Sequence, residues 1–150
     1  MGTAATTHVH TGRTAAQWAA LIFGIVFIAV ALLGFVSGGM TMESDPARAP
    51  HLIGMFPVNL LHNVVHLAFG IWGIAAARTH ASARGYCVGA GAIYAVLAVL
   101  GWLSPNGFGL VPLGGNDIGL HAVLAIALLA VGLTARRDAV RTETHTTTRA

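Results

Sequence analysis

The sequence predicts an all-α, polytopic membrane protein, a bundle of four transmembrane helices made from two tandem helical hairpins. Of its 150 residues, 55% are hydrophobic and only 9% are charged, whereas about a quarter of the residues in a soluble domain are charged. The hydrophobic residues fall into four runs, each near the ~20 residues that a membrane-spanning helix needs. Segments rich in glycine, proline and polar residues separate the runs. Lipid, rather than water, is therefore the solvent expected around the helices.

The four runs give the element boundaries. The predicted helices cover residues 18–36, 57–77, 85–103 and 116–135. Pro57 is expected to open the second helix, because proline is favoured in a first turn, and Asn116 or Asp117 is expected to cap the fourth. We divide the chain into a disordered cytoplasmic tail (1–13), a four-helix transmembrane domain (14–135) and a second disordered cytoplasmic tail (136–150).

The arginines predict the orientation in the membrane. Seven of the eight lie in the two tails or in the predicted turn 78–84, and only Arg48 lies on the opposite side. Positive residues concentrate on the cytoplasmic side of a membrane protein, so we expect an inner-membrane protein with both termini in the cytoplasm. The net charge of +3 does not indicate nucleic-acid binding, because the arginines form no basic face.

The chain contains a candidate internal repeat. Residues 53–57 (IGMFP) match residues 108–112 (FGLVP) at an offset of 55, which also carries His66 onto His121 and His62 onto Asp117. Residues 34–37 (GFVS) resemble residues 101–104 (GWLS) at a larger offset, because the first loop is longer. Each unit contains two spans, so both units are expected to insert in one orientation around a pseudo-two-fold axis along the membrane normal.

Polar side chains inside the predicted spans are the candidate functional residues. Asn59, His62 and His66 share one face of the second helix, because they are three and four residues apart. Asp117 and His121 have the same spacing on the fourth helix. Ionisable groups are costly in hydrocarbon, so we expect all of them to face the bundle interior and at least one histidine of the second helix to hydrogen-bond Asp117 or His121.

Four interpretations of this cluster remain open. A polar staple that fixes helix packing would make the protein a structural or accessory component, alone, as a homo-oligomer or with a membrane partner. Haem b ligation by His66 and His121 would make it a redox protein. A divalent metal site would use His62, His66, His121 and Asp117. The fourth interpretation is a proton-linked or small-ligand site.

The sequence does not indicate an enzyme. His62 and His66 have the i, i+4 spacing of a zinc-protease helix, but Asn63 replaces the glutamate that this motif needs as a general base. No nucleophile–base pair or phosphate-binding loop accompanies them. We therefore predict no catalytic residues.

Two segments carry a family resemblance. Residues 56–66 (FPVNLLHNVVH) and 111–121 (VPLGGNDIGLH) resemble the signatures of a family of small bacterial four-helix membrane proteins, domain of unknown function 4383. The resemblance covers about residues 17–135. It implies a four-span topology and no established activity.

Overall fold

The computed structural model describes residues 3–10, 12–136 and 141–148, with the backbone alone in 3–10 and 141–148. Within these residues the chain forms four α-helices, which confirms the predicted all-α bundle. They are α1 (Ala15–Val36), α2 (Leu60–Ala76), α3 (His80–Leu103) and α4 (Asn116–Thr134).

Short strands accompany the helices. They are β1 (Thr3–His10), β2 (His51–Leu52), β3 (Phe56–Pro57) and β4 (Arg141–Thr148). The strands β2 and β3 pair antiparallel within the first interhelical loop. The strand β1 of the first tail pairs antiparallel with β4 of the second tail, and the sequence predicts disorder for both tails. Each tail lies partly outside the described residues, and its disorder stays a prediction.

The helices have the length and composition of membrane spans. With 22, 24 and 19 residues, α1, α3 and α4 are each long and apolar enough to cross a bilayer. The apolar helix α2 is shorter, with 17 residues, or about 26 Å at 1.5 Å per residue. The chain is thus a helical membrane protein.

Two helices begin differently from the prediction. Pro57 does not open α2; it belongs to β3, and Asn59 caps the helix by accepting a hydrogen bond from the His62 backbone N–H. In α4, neither Asn116 nor Asp117 is the cap, because the preceding Gly115 takes that position without a side-chain bond. Local pairing of the loop, rather than proline preference, sets the start of α2.

The connection between α2 and α3 is much shorter than predicted. The sequence places a polar turn at residues 78–84, but α3 already begins at His80, with Thr79 as its cap. Arg84 lies inside the helix, and its Nε donates to the Gly132 carbonyl of α4 at 3.0 Å. The polar residues therefore extend α3 beyond its apolar stretch, as arginine can do near a membrane surface.

Helix packing follows the two hairpins. α1 packs mainly along α2 and α3 along α4, while α1 and α4 have few contacts. Glycines allow the close approaches: a Cβ on Gly24 would lie 2.8 Å from the Ile74 backbone N, and one on Gly91 would lie 2.9 Å from the Leu129 backbone N. Such distances exclude any larger residue without a shift of the helices.

The loop between α1 and α2 and the loop between α3 and α4 have the same unusual backbone conformation. Ile53 and Phe108 are the non-glycine residues with positive φ in the described part of the chain, at 46° and 57°. Each precedes a glycine with positive φ, Gly54 at 72° and Gly109 at 84°. Bulky side chains rarely adopt this conformation, and Ile53 and Phe108 occupy equivalent positions at the offset of 55 residues.

Backbone hydrogen bonds in the two loops coincide at the same offset. The Val58 N–H donates to the Pro50 carbonyl, and the Leu113 N–H donates to the Pro105 carbonyl, both at 2.8 Å. A second pair of equivalent bonds joins Met55 to Leu52 at 3.1 Å and Leu110 to Gly107 at 3.2 Å. The loops thus share one hydrogen-bonding pattern, although their sequences differ at most positions.

Candidate functional site

The polar face of α2 points into the bundle, as the sequence predicts. His62 and His66 are each 6% exposed, and Asn63 is fully buried. Gly70 and Gly73 continue the same buried face toward the other end of the helix. The spacing of three and four residues therefore identified the interior face of α2 correctly.

The polar residues of α4 meet those of α2. Asp117 is 1% and His121 is 2% exposed, and the His62 Nδ1 lies 3.8 Å from the Asp117 Oδ2. That distance is too long for the hydrogen bond that we expected between the helices. The rings of His62 and His66 instead stack, with centroids 4.6 Å apart. We call His62, His66, Asp117 and His121 the polar cluster.

Two aromatic residues that the sequence did not single out support the polar cluster. Phe27 of α1 contacts the His66 ring at a centroid distance of 5.4 Å, and Tyr94 of α3 contacts the His121 ring at 5.4 Å. Phe27 and Tyr94 are each 2% exposed. The signal was present in the sequence: the offset of 67 residues that relates GFVS to GWLS also relates Phe27 to Tyr94.

Asn59 and Asn63 each have a hydrogen-bond partner for the side-chain Nδ2, although the Asn63 Oδ1 has none. The Asn59 Nδ2 donates to the Leu110 carbonyl at 2.9 Å, and its Oδ1 caps α2. The Asn63 Nδ2 donates to the Gly39 carbonyl at 3.0 Å. Both amides thus tie α2 to interhelical loops, which is the staple role expected of polar groups in a membrane bundle.

The polar cluster differs from the asparagines, because it contains most of the buried polar atoms without a partner. Six buried side-chain polar atoms in the described part of the chain have no hydrogen-bond partner. Four of them are the Nδ1 atoms of His62, His66 and His121 and the Oδ2 of Asp117. An unpaired buried polar group costs about 1–3 kcal/mol. Four such atoms at one place are a feature that helix packing alone does not explain.

The polar cluster forms the floor of a cleft between α1 and α4. The cleft has a volume of about 270 Å³. Its rim residues Val26 and Leu33 on α1 are 46% and 53% exposed, and Leu120 on α4 is 36% exposed. The apolar lining is formed by Val26, Phe27, Val30, Leu33, Leu52, Ile53, Phe56, Val58, Leu120 and Leu124. The cleft therefore opens sideways between two helices that would face lipid.

The helices that carry the polar cluster lie within a segment that matches a known protein family. The model of the family described as "Domain of unknown function (DUF4383)" matches residues 17–134. The chain belongs to the DUF4383 family. No curated protein and no solved structure matches this chain.

The DUF4383 fold brings together all four residues of the predicted metal site without a metal-binding geometry. In the part of the chain that the structure describes, no three His, Cys, Asp and Glu side chains are arranged to hold a metal ion. The cleft lined by His66 and His121 is largely apolar. Haem ligation by these two histidines stays a prediction.

Proposed function

We propose that this DUF4383 protein binds an uncharged, lipid-soluble molecule that enters the cleft from the bilayer and places its polar head on the polar cluster. One observation carries the proposal. Four buried polar atoms without partners belong to side chains that line an otherwise apolar cleft. A ligand pocket with apolar walls and a few convergent polar groups has this composition.

The contrast with the asparagines argues against a staple as the only role of the polar cluster. Asn59 and Asn63 have partners in the loops, so they account for the packing role. A structural or accessory role is the second candidate, and these two asparagines support it. His66 and His121 contact aromatic rings rather than hydrogen-bond partners, so packing alone leaves their polarity unexplained.

The polar cluster favours an uncharged head. A neutral imidazole both donates and accepts a hydrogen bond, and rotation of a ring about χ2 would turn its Nδ1 toward the cleft. The Asp117 carboxyl group lines the same cleft and disfavours a carboxylate or phosphate there. A carbonyl or hydroxyl group on a planar ring fits best, because Phe27 supplies an aromatic wall. Alkyl quinones are the chemical class with these features.

We also propose how the protein is oriented in the membrane. It is an inner, plasma-membrane protein with both termini in the cytoplasm, and the seven arginines on that side support this orientation. The loops that contain β2, β3 and the Gly107–Gly109 turn would then face outward. The cleft would open within the outer half of the bilayer, because residues of the first outer loop line it.

We further propose that the chain contains an internal duplication of one helical hairpin. Each unit consists of a helix, an outer loop and a second helix, with offsets of 67 residues between the first helices and 55 between the second. The matched φ values and hydrogen bonds of the loops support it. A further pair of contacts agrees with both offsets: Gln17 donates to the Ala77 carbonyl, and Arg84 donates to the Gly132 carbonyl.

Ligand binding is tested by native mass spectrometry of the protein released from detergent micelles. The probe is decyl-benzoquinone, with decylbenzene as the apolar control and decanoate as the charged control. We expect one quinone per chain. Decylbenzene should bind at least about tenfold more weakly, since hydrogen bonds to the head contribute about 1 kcal/mol each. Decanoate should also bind at least about tenfold more weakly, because its charged carboxylate would be buried in an apolar cleft.

Substitutions locate the site. His66→Phe and His121→Phe keep an aromatic ring but remove its polar atoms, so each should weaken quinone binding. His51→Phe is the matched control, because His51 is exposed in the first outer loop. Quinone bound no better than decylbenzene, or bound equally by His66→Phe and the parent protein, would contradict the proposed function.

A further inference from the structure

We infer that the protein contains a second cleft equivalent to the first, between α2 and α3, and that Phe69 closes it to the ligand. The inference rests on the proposed function for the nature of the ligand. The second cleft has a volume of about 100 Å³, against about 270 Å³ for the first. Both clefts share His62, His66 and His121 as part of their lining, so they approach the polar cluster from opposite sides.

The linings of the two clefts correspond at eight pairs of positions, four of them on the second helix of each unit. Four residues of α4 line the first cleft, and the residues 55 positions earlier in α2 all line the second. These pairs are Asp117 with His62, Leu120 with Val65, His121 with His66 and Leu124 with Phe69. The two units thus present the same two helical faces to the two clefts.

The first helix of each unit follows the same rule at the offset of 67 residues. Phe27 and Val30 of α1 line the first cleft, and the equivalent Tyr94 and Leu97 of α3 line the second. The outer loops agree as well. Phe56 and Val58 line the first cleft, and their equivalents Val111 and Leu113 line the second.

Phe69 is the difference that reduces the second cleft. Its ring lies with the centroid 5.6 Å from Tyr94 and 6.4 Å from Phe27, nearly perpendicular to the latter. The equivalent residue of the first cleft is Leu124, which has no ring. The loop side chains change in both directions, because Val111 is smaller than its counterpart Phe56 and Leu113 is larger than Val58. Tyr94 and Leu97 are also slightly larger than Phe27 and Val30, but only the pair Phe69 and Leu124 adds a phenyl ring to the second cleft. On this inference, that pair determines which cleft is open.

Exchange of these two side chains should change the number of ligands bound. Decyl-benzoquinone is the probe, and native mass spectrometry counts the bound molecules per chain. We expect one for the parent protein, two for Phe69→Leu or the wider Phe69→Ala, and none for Leu124→Phe. The double variant Phe69→Leu/Leu124→Phe should bind one again, now in the second cleft.

Controls separate this inference from the proposed function. Leu133→Phe makes the same substitution at a residue of α4 that is 65% exposed, and it should still bind one quinone. A parent protein that binds no quinone contradicts the proposed function. A parent protein that binds one, while Phe69→Leu and Phe69→Ala also bind one or Leu124→Phe binds as the parent does, contradicts the second cleft alone.

Discussion

The rings of Phe27 and Tyr94 meet in the centre of the bundle, with centroids 5.4 Å apart. Each ring also packs at 5.4 Å against one histidine, Phe27 against His66 and Tyr94 against His121. The two aromatic residues come from the first helices of the two hairpins and the two histidines from the second helices. This arrangement separates the two sides of the polar cluster and gives each side its own aromatic wall.

Because the helices approach each other closely, substitution of the glycines at their contacts should destabilise the protein more than substitution of a glycine elsewhere. Gly24→Ala and Gly91→Ala should lower the free energy of unfolding by about 1–3 kcal/mol, because the new Cβ meets a backbone nitrogen that cannot move independently. Gly119→Ala is the control, since its Cβ would meet nothing within 4 Å. Thermal unfolding in detergent measures all three. Equal stability of the three variants would show that the hairpins do not pack as described.

Substitution of the asparagines should change the stability of the protein but not its binding of quinone. Asn63→Ala leaves the Gly39 carbonyl without its donor and should destabilise the protein by about 1–3 kcal/mol. Asn116→Ala removes a bond to the Met55 carbonyl at an exposed position and should cost less. Denaturation in detergent compares the two. Loss of quinone binding in a folded Asn63→Ala protein would mean that the amide belongs to the ligand site.

The orientation predicts which positions a membrane-impermeant thiol reagent reaches. Asp45→Cys and Asn106→Cys, in the two outer loops, should be labelled in intact cells, and Ser82→Cys near the start of α3 only after permeabilisation. The native Cys87 is fully buried and should contribute little background. Labelling of Ser82→Cys alone in intact cells would reverse the proposed topology.

The choice between a quinone-type ligand and haem has a spectroscopic test. The purified protein should show no Soret band, and His66→Gln should keep the fold, because the amide replaces both a donor and an acceptor. Visible absorption and circular dichroism measure the two properties. A Soret band in the parent protein that disappears in His66→Gln would establish haem ligation instead.

The sequence predicted the fold well, because hydrophobic runs and interior polar residues depend on the local composition of each helix. It placed the start of α3 at Gly85 rather than His80, since hydropathy marks the edge of the hydrocarbon and not the end of the helix. It gave Pro57 to α2, although that residue pairs with His51 in the loop. Such long-range pairing leaves no periodic signal in a single segment.

The candidate site was predicted in part. The spacing along α2 and α4 identified all four residues of the polar cluster, because helical periodicity places them on interior faces. The hydrogen bond expected across the helices is absent between His62 and Asp117, since its geometry depends on side-chain positions that spacing does not determine. Phe27 and Tyr94 were missed, because aromatic residues are ordinary in an apolar helix and only the offset of 67 residues between them distinguishes them.

The most direct test of the central claim is the nitrogen-15 NMR spectrum of the histidine side chains with and without ligand. Addition of decyl-benzoquinone should shift the imidazole signals of His62, His66 and His121, because a hydrogen bond to the quinone changes the electronic environment of the ring nitrogens. Signals of His51 and His80, which lie outside the cleft, should not change, and decylbenzene should leave the signals of all five of these histidines, among the eight in the chain, nearly unmoved. Unchanged signals from the polar cluster at saturating quinone, or equal shifts with decylbenzene, would contradict the account.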